Sequence, residues 1–296
     1  MELRTLRAFV EVVRQGGFSR AAEVVFATQS TVSKAVKQLE DEIGVPLLDR
    51  IGHRSVLTVA GEVVYRRALQ MLAERDHLVA ELDDLRGLKR GTLRLGLPAI
   101  ANNLFARLFV IYRDRYPGVD VRLVEHGSEQ LEEILRSGEI DLAASLLPVS
   151  DEFEWQEVRR QPLMALVPSD HPLARKRTVN LLDLKDIPFI LFETGFALNR
   201  IILEACHRRG FEPTVAARTS QIDFAVELVA VGLGIAFLPR MTAERFDRPS
   251  VRHVPLAEPQ TEWQMAAIWR RGAYLSHPAQ AWLAILREIL DQTEPR

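Results

Sequence analysis

Polar side chains recur between residues 28 and 38 with the chemistry needed to contact nucleic acid. They combine hydroxyl and amide groups, which hydrogen-bond base edges, with ammonium groups, which pair with phosphates or guanine. The set is Thr28, Gln29, Ser30, Thr31, Ser33, Lys34, Lys37 and Gln38. Such a run also fits an ordinary solvated helix face, so its meaning depends on the elements that position it.

Apolar residues within the same run indicate that it is a helix with one buried face. They share one side of a 3.6-residue helix and are Val32, Val36, Leu39 and Ile43. Thr28 is a suitable N-cap, and Gly44 followed by Pro46 is a suitable stop. The polar residues are therefore expected on the outward face of this helix.

Two shorter amphipathic segments precede this helix. Leu6 and Val10 recur at helical spacing in the first, and Ala21 and Ala22 give the second a small-residue face. Three closely spaced helices at the start of a chain are typical of a helix-turn-helix. In that motif the last helix enters the major groove by its N-terminal end.

The segment from residue 46 to 58 predicts a wing, a short extended hairpin beside the helices. Gly52 and His53 lie at its tip, with Arg50 and Arg54 on either side. These arginines are expected to contact phosphates or a neighbouring minor groove. For either residue taken alone, an ordinary surface arginine is an equally good interpretation.

The run from Leu3 to Gly61 resembles the winged helix-turn-helix of LysR-type transcriptional regulators. The resemblance is carried by residues 19–22, 29–33, 39–40, 47–50 and 57–61, and it extends over essentially the whole chain. Leu48 stands where the family usually has phenylalanine. The resemblance implies promoter DNA, RNA polymerase and a small-molecule effector as partners, and a homotetramer built as a dimer of dimers.

The fold expected has three parts. Residues 1–58 form an all-α winged helix-turn-helix, and residues 59–88 form a long linker helix that dimerises, because no breaker follows Gly61 and apolar residues keep a loose helical spacing. An internal helix of the next domain is the alternative for 59–88. Residues 92–296 form an α/β effector domain, in which strands alternate with helices and predict parallel, doubly wound sheets.

The resemblance implies that this α/β domain is similar to periplasmic solute-binding proteins, with two doubly wound subdomains and a cleft between them. We assign residues 92–162 and 265–296 to one lobe and 163–264 to the other. Ligands in open α/β sheets lie beyond the carboxyl ends of the strands. The candidate effector residues follow those strand ends and are Pro98, Ala99, Ile100, Asn102, Gly127, Ser128, Leu146, Thr194, Phe196 and Thr219.

Ser128 matches a hydroxyl position that family members use on effector carboxylates. Leu146 stands where several relatives that respond to aromatic acids have arginine, so a small, partly apolar effector is expected instead. Helix capping is an equal alternative for each polar candidate.

Composition argues against several other kinds of protein and site. The chain has 296 residues, a net charge of −2 and one cysteine, Cys206, so neither an internal disulfide nor a zinc site is expected. Some relatives sense peroxide through two cysteines, but Ala197 stands at the first of those positions, and Cys206 is expected to be a buried apolar residue. No secretory signal or membrane span is evident, so a cytoplasmic protein is expected.

An enzyme is the main rival class, either alone or as an enzymatic or solute-binding α/β protein with an accessory DNA-binding domain. The seven histidines are scattered without a nearby nucleophile or metal spacing, and no phosphate-binding glycine loop is present. A purely architectural DNA-binding protein would not need two α/β lobes. We therefore expect no enzymatic activity, no metal and no cofactor.

Overall fold

The computed structural model describes residues 1–51, 54–85 and 90–291, and it begins with a small helical head. The head contains α1 (Leu3–Gln15), α2 (Phe18–Val24) and α3 (Gln29–Ile43). Leu6 and Phe9 of α1 pack with Val32, Val36 and Leu39 of α3 in one buried cluster. The predicted buried face of α3 is confirmed for its first three residues, while Ile43 is half-buried against the same cluster.

The wing is an antiparallel pair of strands, β1 (Leu48–Ile51) and β2 (Arg54–Leu57). Its tip, Gly52 and His53, lies outside the described residues. Glu40 of α3 fixes the base of the wing, because its carboxylate Oε1 accepts hydrogen bonds from Leu47 N at 2.7 Å and Leu48 N at 3.3 Å. The orientation of the wing relative to α3 therefore depends on a side chain of α3 itself.

A 27-residue helix, α4 (Val59–Leu85), leaves the wing. Thr58 begins it, since its hydroxyl accepts from Gly61 N and donates to Pro46 O, both at 2.9 Å. Ala68 and Leu69 belong to the buried cluster of the head. Further along, apolar side chains of α4 are exposed in the single chain: Met71, Leu78, Val79, Leu82 and Leu85.

The first α/β unit, here named the first lobe, is built on a sheet of order β4-β3-β5-β12-β6. Its strands are β3 (Gly91–Leu97), β4 (Val119–Glu125), β5 (Leu142–Leu146), β6 (Phe153–Gln161) and β12 (Trp263–Arg270). Strand β3 is parallel to β4 and β5, as predicted from the alternation of strands and helices. Its helices are α5 (Asn102–Arg115), α6 (Ser128–Ser137) and α11 (His277–Asp291), and a 3-10 turn at Ala99–Ala101 follows β3.

The second lobe is built on β7 to β11. Its strands are β7 (Leu163–Pro168), β8 (Phe189–Phe192), β9 (Val215–Thr219), β10 (Ala236–Pro239) and β11 (Val251–Pro255). Its helices are α7 (Leu181–Leu184), α8 (Ala197–Arg208), α9 (Ile222–Ala230) and α10 (Arg240–Ala243), with 3-10 turns at Pro172–Arg175 and Glu244–Phe246. Strands β8 and β9 are parallel, and a bridge from Phe189 to Ile235 connects them to the β10-β7-β11 sheet.

The predicted parallel pairing is present for β3 with β4 and β5 and for β8 with β9, but each lobe also contains antiparallel pairs that were not predicted. β7 runs antiparallel to β10 and β11, and β12 runs antiparallel to β5 and β6. The reason is that the chain crosses between the lobes twice, through residues 161–163 and again before Trp263. Trp263 pairs with Gln161 in the β12–β6 register, so the two crossings lie side by side. No helix of the described chain is both long and apolar enough to cross a membrane.

Gly61 is the position where α4 approaches the head most closely. A Cβ atom built there would lie 2.0 Å from the carbonyl oxygen of Leu47. We expect Gly61→Ala to lower the free energy of unfolding by about 2 kcal/mol, as overpacking does elsewhere. Urea unfolding followed by circular dichroism measures this loss. Gly17→Ala is the matched control because nothing lies within 4 Å of its added methyl group, and equal stability of the two variants would contradict the prediction.

Candidate DNA-binding surface and effector cleft

The N-terminal end of α3 is held by Thr28. Its hydroxyl accepts a hydrogen bond from Thr31 N at 3.2 Å, and Gly44 ends the helix in the left-handed conformation, so the predicted N-cap and stop are confirmed. The Thr28 hydroxyl also lies 2.9 Å from the Ser30 hydroxyl and 2.8 Å from the Thr31 hydroxyl. These three side chains therefore form one hydrogen-bonded group at the helix start.

The remaining predicted DNA-contacting residues of α3 lie on its outer surface. Ser33, like Thr31, is half-buried, and the exposed members are Gln29, Ser30, Lys34, Lys37 and Gln38. Arg50 and Arg54 belong to the paired wing strands, but their side chains lie outside the described part of the chain. The structure thus places the exposed polar residues of α3 on the outer side of the helix, where Ser19 of α2 donates a hydrogen bond of 3.4 Å to Gln29 Oε1.

Phe26 is a feature of this surface that the sequence pattern did not single out. The residue is 98% exposed, and its backbone has a φ of +53° in the turn between α2 and α3. A large apolar group consequently stands beside the first turn of α3. A positive φ at a non-glycine residue has no clear signature in sequence, which is why the position was missed.

The two lobes touch where the predicted effector residues of β4 and β8 meet. Glu129 N, in the first turn of α6, donates a hydrogen bond of 3.2 Å to Gly195 O of the second lobe. The approach requires glycine at position 127, because a Cβ there would lie 2.6 Å from Gly195 O. Phe196 stacks on Phe192 at 5.4 Å, which gives this side of the contact an aromatic wall.

The other predicted cleft residues differ in their exposure. Ser128 is buried at 4% exposure at the start of α6, and Thr219 is buried with its hydroxyl accepting from Gln221 N at 3.0 Å. Thr194 and Ala99 are exposed, whereas Pro98, Ile100 and Leu146 are buried. Asn102 lies in α5, and its side chain is outside the described residues.

Asn199 fixes the loop that carries Gly195. Its side-chain oxygen accepts from Phe192 N at 3.0 Å, and its amide nitrogen donates to Phe192 O at 2.8 Å and to Glu193 O at 3.0 Å. This buried side chain completes the backbone hydrogen bonds at the end of β8. A lone asparagine one turn into a helix gives no such signal in sequence, so its role was not predicted.

Glu132 is a second residue of α6 that sequence reasoning missed. Ser145, fully buried in β5, donates its hydroxyl hydrogen to Glu132 Oε1 at 2.6 Å. Burial raises the pKa of the Glu132 carboxyl, while the Ser145 hydrogen bond and the charge of Arg200 oppose that rise. Because Arg200 belongs to α8 of the second lobe, this carboxyl senses charge from both lobes.

The other end of α6 contacts α4 and the head. Gly138 packs against Ala73, and Gln70 Nε2 of α4 donates to Arg136 O at 3.5 Å. Glu139 forms an ion pair with Arg14 of α1, and Arg270 at the end of β12 pairs with Glu74 at 3.2 Å. The ten residues of α6, about 15 Å long, and the turn that follows them therefore join the contact between the lobes to the DNA-binding head.

The end of α4 is also attached to the first lobe. Asp84 accepts hydrogen bonds of 2.7 Å from the Tyr274 hydroxyl and from His277 N at the start of α11. This attachment is made by polar groups, so Leu78 and Leu82 of α4 take no part in it and stay exposed.

Comparisons with known proteins identify this architecture. Residues 3–62 match the model of the bacterial regulatory helix-turn-helix protein, lysR family, and residues 86–291 match that of the LysR substrate binding domain. The chain belongs to the LysR family. It is a DNA-binding transcriptional regulator with a substrate-binding domain and not an enzyme, as the resemblance of residues 3–61 predicts.

Sequence alignments with relatives extend over almost the whole of this LysR-type chain. It is 37% identical over 98% of its length, and 97% of the relative's, to the uncharacterized HTH-type transcriptional regulator YwbI of Bacillus subtilis (strain 168). It is 31% identical over 99% of both chains to the transcriptional dual regulator GltC of the same strain.

Solved full-length structures share its fold. A full-length OxyR variant from Pseudomonas aeruginosa is 26% identical, covers 97% of this chain and 94% of its own, and has a TM-score of 0.73. Full-length BenM is 28% identical, covers 100% of this chain and 99% of its own, and has a TM-score of 0.62.

Cys206, the single cysteine of the regulator, is fully buried in α8, as expected. Burial raises the pKa of its thiol to about 11, so the thiol is protonated at neutral pH. A protonated, enclosed thiol is a poor nucleophile and a poor target for oxidation.

Substitution of Glu132 gives a pH-dependent test of its environment. Because its pKa is raised on folding, the carboxyl favours the folded state in acid, and that contribution is lost as pH rises through the raised pKa. Glu132→Gln keeps an oxygen for Ser145 but does not titrate. We expect the melting temperature of the variant, relative to the parent, to increase from pH 4 to pH 7.

Calorimetry at several pH values measures this difference. Glu133→Gln, which removes an exposed neighbouring carboxylate, is the control and should not show the same rise. A difference that stays constant with pH for Glu132→Gln would show that its carboxyl is not perturbed by burial.

Proposed function

We propose that this LysR-type regulator reads promoter DNA with α3 and the wing, and that a small molecule bound between its lobes modulates the binding. The observation that carries the proposal is the segment formed by α6 and the turn after it. Glu129 in the first turn of α6 contacts Gly195 across the cleft, and Glu139 in the turn that follows the helix pairs with Arg14 of the head. A ligand that alters the first contact can act on the head through a rigid element.

The DNA contacts proposed are those of the polar face of α3. Gln29, Ser30 and Ser33 lie near its N-terminal end, which enters the major groove in this motif. Lys34 and Lys37 are exposed and supply charge for phosphates or guanine. The wing arginines, Arg50 and Arg54, remain proposed phosphate or minor-groove contacts.

The effector site proposed lies at the contact between Gly127–Glu129 and Gly195–Phe196. The Gly195 carbonyl accepts the hydrogen bond of Glu129 N in the first turn of α6. The backbone amides of a helix's first turn are groups that also bind acceptor atoms of ligands. An effector with a hydrogen-bond acceptor would replace that carbonyl, and Phe196 and the nearby apolar residues would receive its apolar part. The expected bounds of the lobes, 92–162 with 265–296 and 163–264, need one correction. Strand β12 of the first lobe begins at Trp263, so we propose 92–162 with 263–296 for the first lobe and 163–262 for the second.

The assembly proposed is a dimer of dimers. Helix α4 carries exposed apolar side chains at a spacing that suits pairing with a second copy of the helix. They are Met71, Leu78, Leu82 and Leu85. A net charge of −2 also favours more than one head per DNA site, because a single head offers few cations. Change in the angle between the lobes would then alter the placement of paired heads on DNA and the contact with RNA polymerase.

The α3 assignment predicts a loss of salt-dependent DNA binding in a double variant. Lys34→Ala with Lys37→Ala removes two cations, so we expect weaker binding to an operator fragment that the parent selects from genomic DNA. The slope of log affinity against log salt should fall by about 2 per head if both lysines meet phosphates.

Fluorescence anisotropy at several salt concentrations measures this slope. Arg107→Ala with Lys185→Ala removes two exposed cations from the effector domain and should leave the slope unchanged. Parent-like affinity of the α3 variant at matched salt would refute the assignment.

The cleft proposal predicts a ligand-dependent thermal shift that needs Ser128. In a screen of small carboxylates, aromatics, sugars and amino acids, a ligand of the folded state raises the melting temperature by mass action. Ser128→Ala should abolish the shift of a hit. Thr92→Ala, which removes a hydroxyl at the opposite end of β3, should preserve it. A hit unaffected by Ser128→Ala binds elsewhere and contradicts the proposed site.

A further inference from the structure

A second concave surface lies on the second lobe, away from the contact between Gly127 and Gly195. It is a groove of about 610 Å³ between the turn Pro172–Arg175 and strand β11. We name it the basic groove, because four of its lining residues are cationic: Arg175, Lys176, Arg177 and Arg252. No carboxylate is found among its described lining residues.

The charge of the basic groove is largely uncompensated. Lys176 Nζ pairs with Asp183 Oδ1 at 2.7 Å, and hydrogen bonds from Asn180 N and Lys176 lower the pKa of that carboxyl. Among the described residues, by contrast, Arg175, Arg177 and Arg252 have no ion-pair partner, and all three are exposed. In a chain with a net charge of −2, three unpaired guanidinium groups around one groove are a local concentration of positive charge.

The neutral groups of the groove add hydrogen-bonding capacity. Ser169 contributes a hydroxyl at the end of β7, and His253 of β11 has a buried Nε2 without a hydrogen-bond partner. Burial lowers the pKa of His253, against the raising effect of Asp247, so its imidazole adds little charge near neutral pH. Because this Nε2 is enclosed, the neutral hydrogen bond available to a ligand is that of the exposed Ser169 hydroxyl.

The guanidinium groups that line the basic groove favour phosphate over other anions. Guanidinium groups bind phosphate oxygens through paired hydrogen bonds, and several of them around one site favour a group with more than one negative charge. The volume of the groove lies within the range of small-molecule sites. The head contacts the first lobe through Arg14 and Glu139, whereas the basic groove is on the second lobe, which favours a free ligand over bound DNA.

We propose that the basic groove binds a phosphorylated small molecule at a site separate from the cleft between the lobes. The three unpaired arginines hold the phosphate groups, and Ser169 supplies a neutral hydrogen bond. The regulator would then have a second ligand site, independent of the effector site proposed above.

The test uses pyrophosphate and ADP as probes, because they share a diphosphate group but only ADP carries a nucleoside. Isothermal titration calorimetry of the full chain at constant ionic strength should give saturable binding of one or both. We expect Arg177→Gln with Arg252→Gln to weaken that binding at least tenfold. Arg107→Gln with Arg113→Gln removes the same charge from exposed positions of α5 and should not weaken it.

The outcomes separate the alternatives. Tighter binding of ADP than of pyrophosphate would support a phosphate ester as the ligand, and equal binding would support recognition of the phosphates alone. Three results would overturn the proposal: no saturable binding, an equal loss in the α5 control, or weaker operator binding with a smaller salt slope in the groove variant, which would make the surface a DNA contact. Ser128→Ala should leave pyrophosphate binding intact, because Ser128 lies in the cleft between the lobes. Absence of pyrophosphate binding would therefore overturn the groove proposal without testing the proposed effector site.

Discussion

The contacts at the two ends of α6 are the constraint on which the rest of the molecule depends. At its N-terminal end the amide of Glu129 is satisfied by a carbonyl of the other lobe, Gly195, and at its C-terminal end Glu139 reaches the head. An α-helix transmits displacement along its axis because its backbone hydrogen bonds resist bending. The contact between the lobes and the contact with the head are thereby connected through one short helix and the turn that follows it.

The first lobe serves as the support for both ends of this element. Ser145 of β5 is hydrogen-bonded to Glu132 and so attaches α6 to the sheet. Asp84 and Glu74 attach α4 to residues near the end of β12 and the start of α11. The Ser145–Glu132 hydrogen bond begins at a buried hydroxyl, whereas the Arg270–Glu74 ion pair has an exposed carboxylate and is individually weak. The second lobe touches this support at the Gly195 loop and through the two neighbouring chain crossings.

The strands that sequence reasoning missed show where pattern fails. Strand β6 reads Phe-Glu-Trp-Gln-Glu-Val-Arg-Arg-Gln, and it lies at the edge of its sheet, as β11 does in the other. An edge strand is buried on one side and keeps polar residues elsewhere, so it lacks the apolar run of a central strand such as β5. Antiparallel pairing was missed for a different reason, since it depends on where the chain returns and not on the composition of any one strand.

The amino-acid sequence by itself determined the local elements and the class of protein. Helix α3, its Thr28 cap, its Gly44 stop and its buried face follow from spacings of a few residues, where propensity and periodicity act directly. Only the tertiary structure decided that Glu129 meets Gly195, that Glu132 lies under Ser145 with Arg200 nearby, and that Arg177 and Arg252 share one groove. These pairs are distant in the chain, and their proximity depends on how sheets and helices pack, which no short-range pattern records.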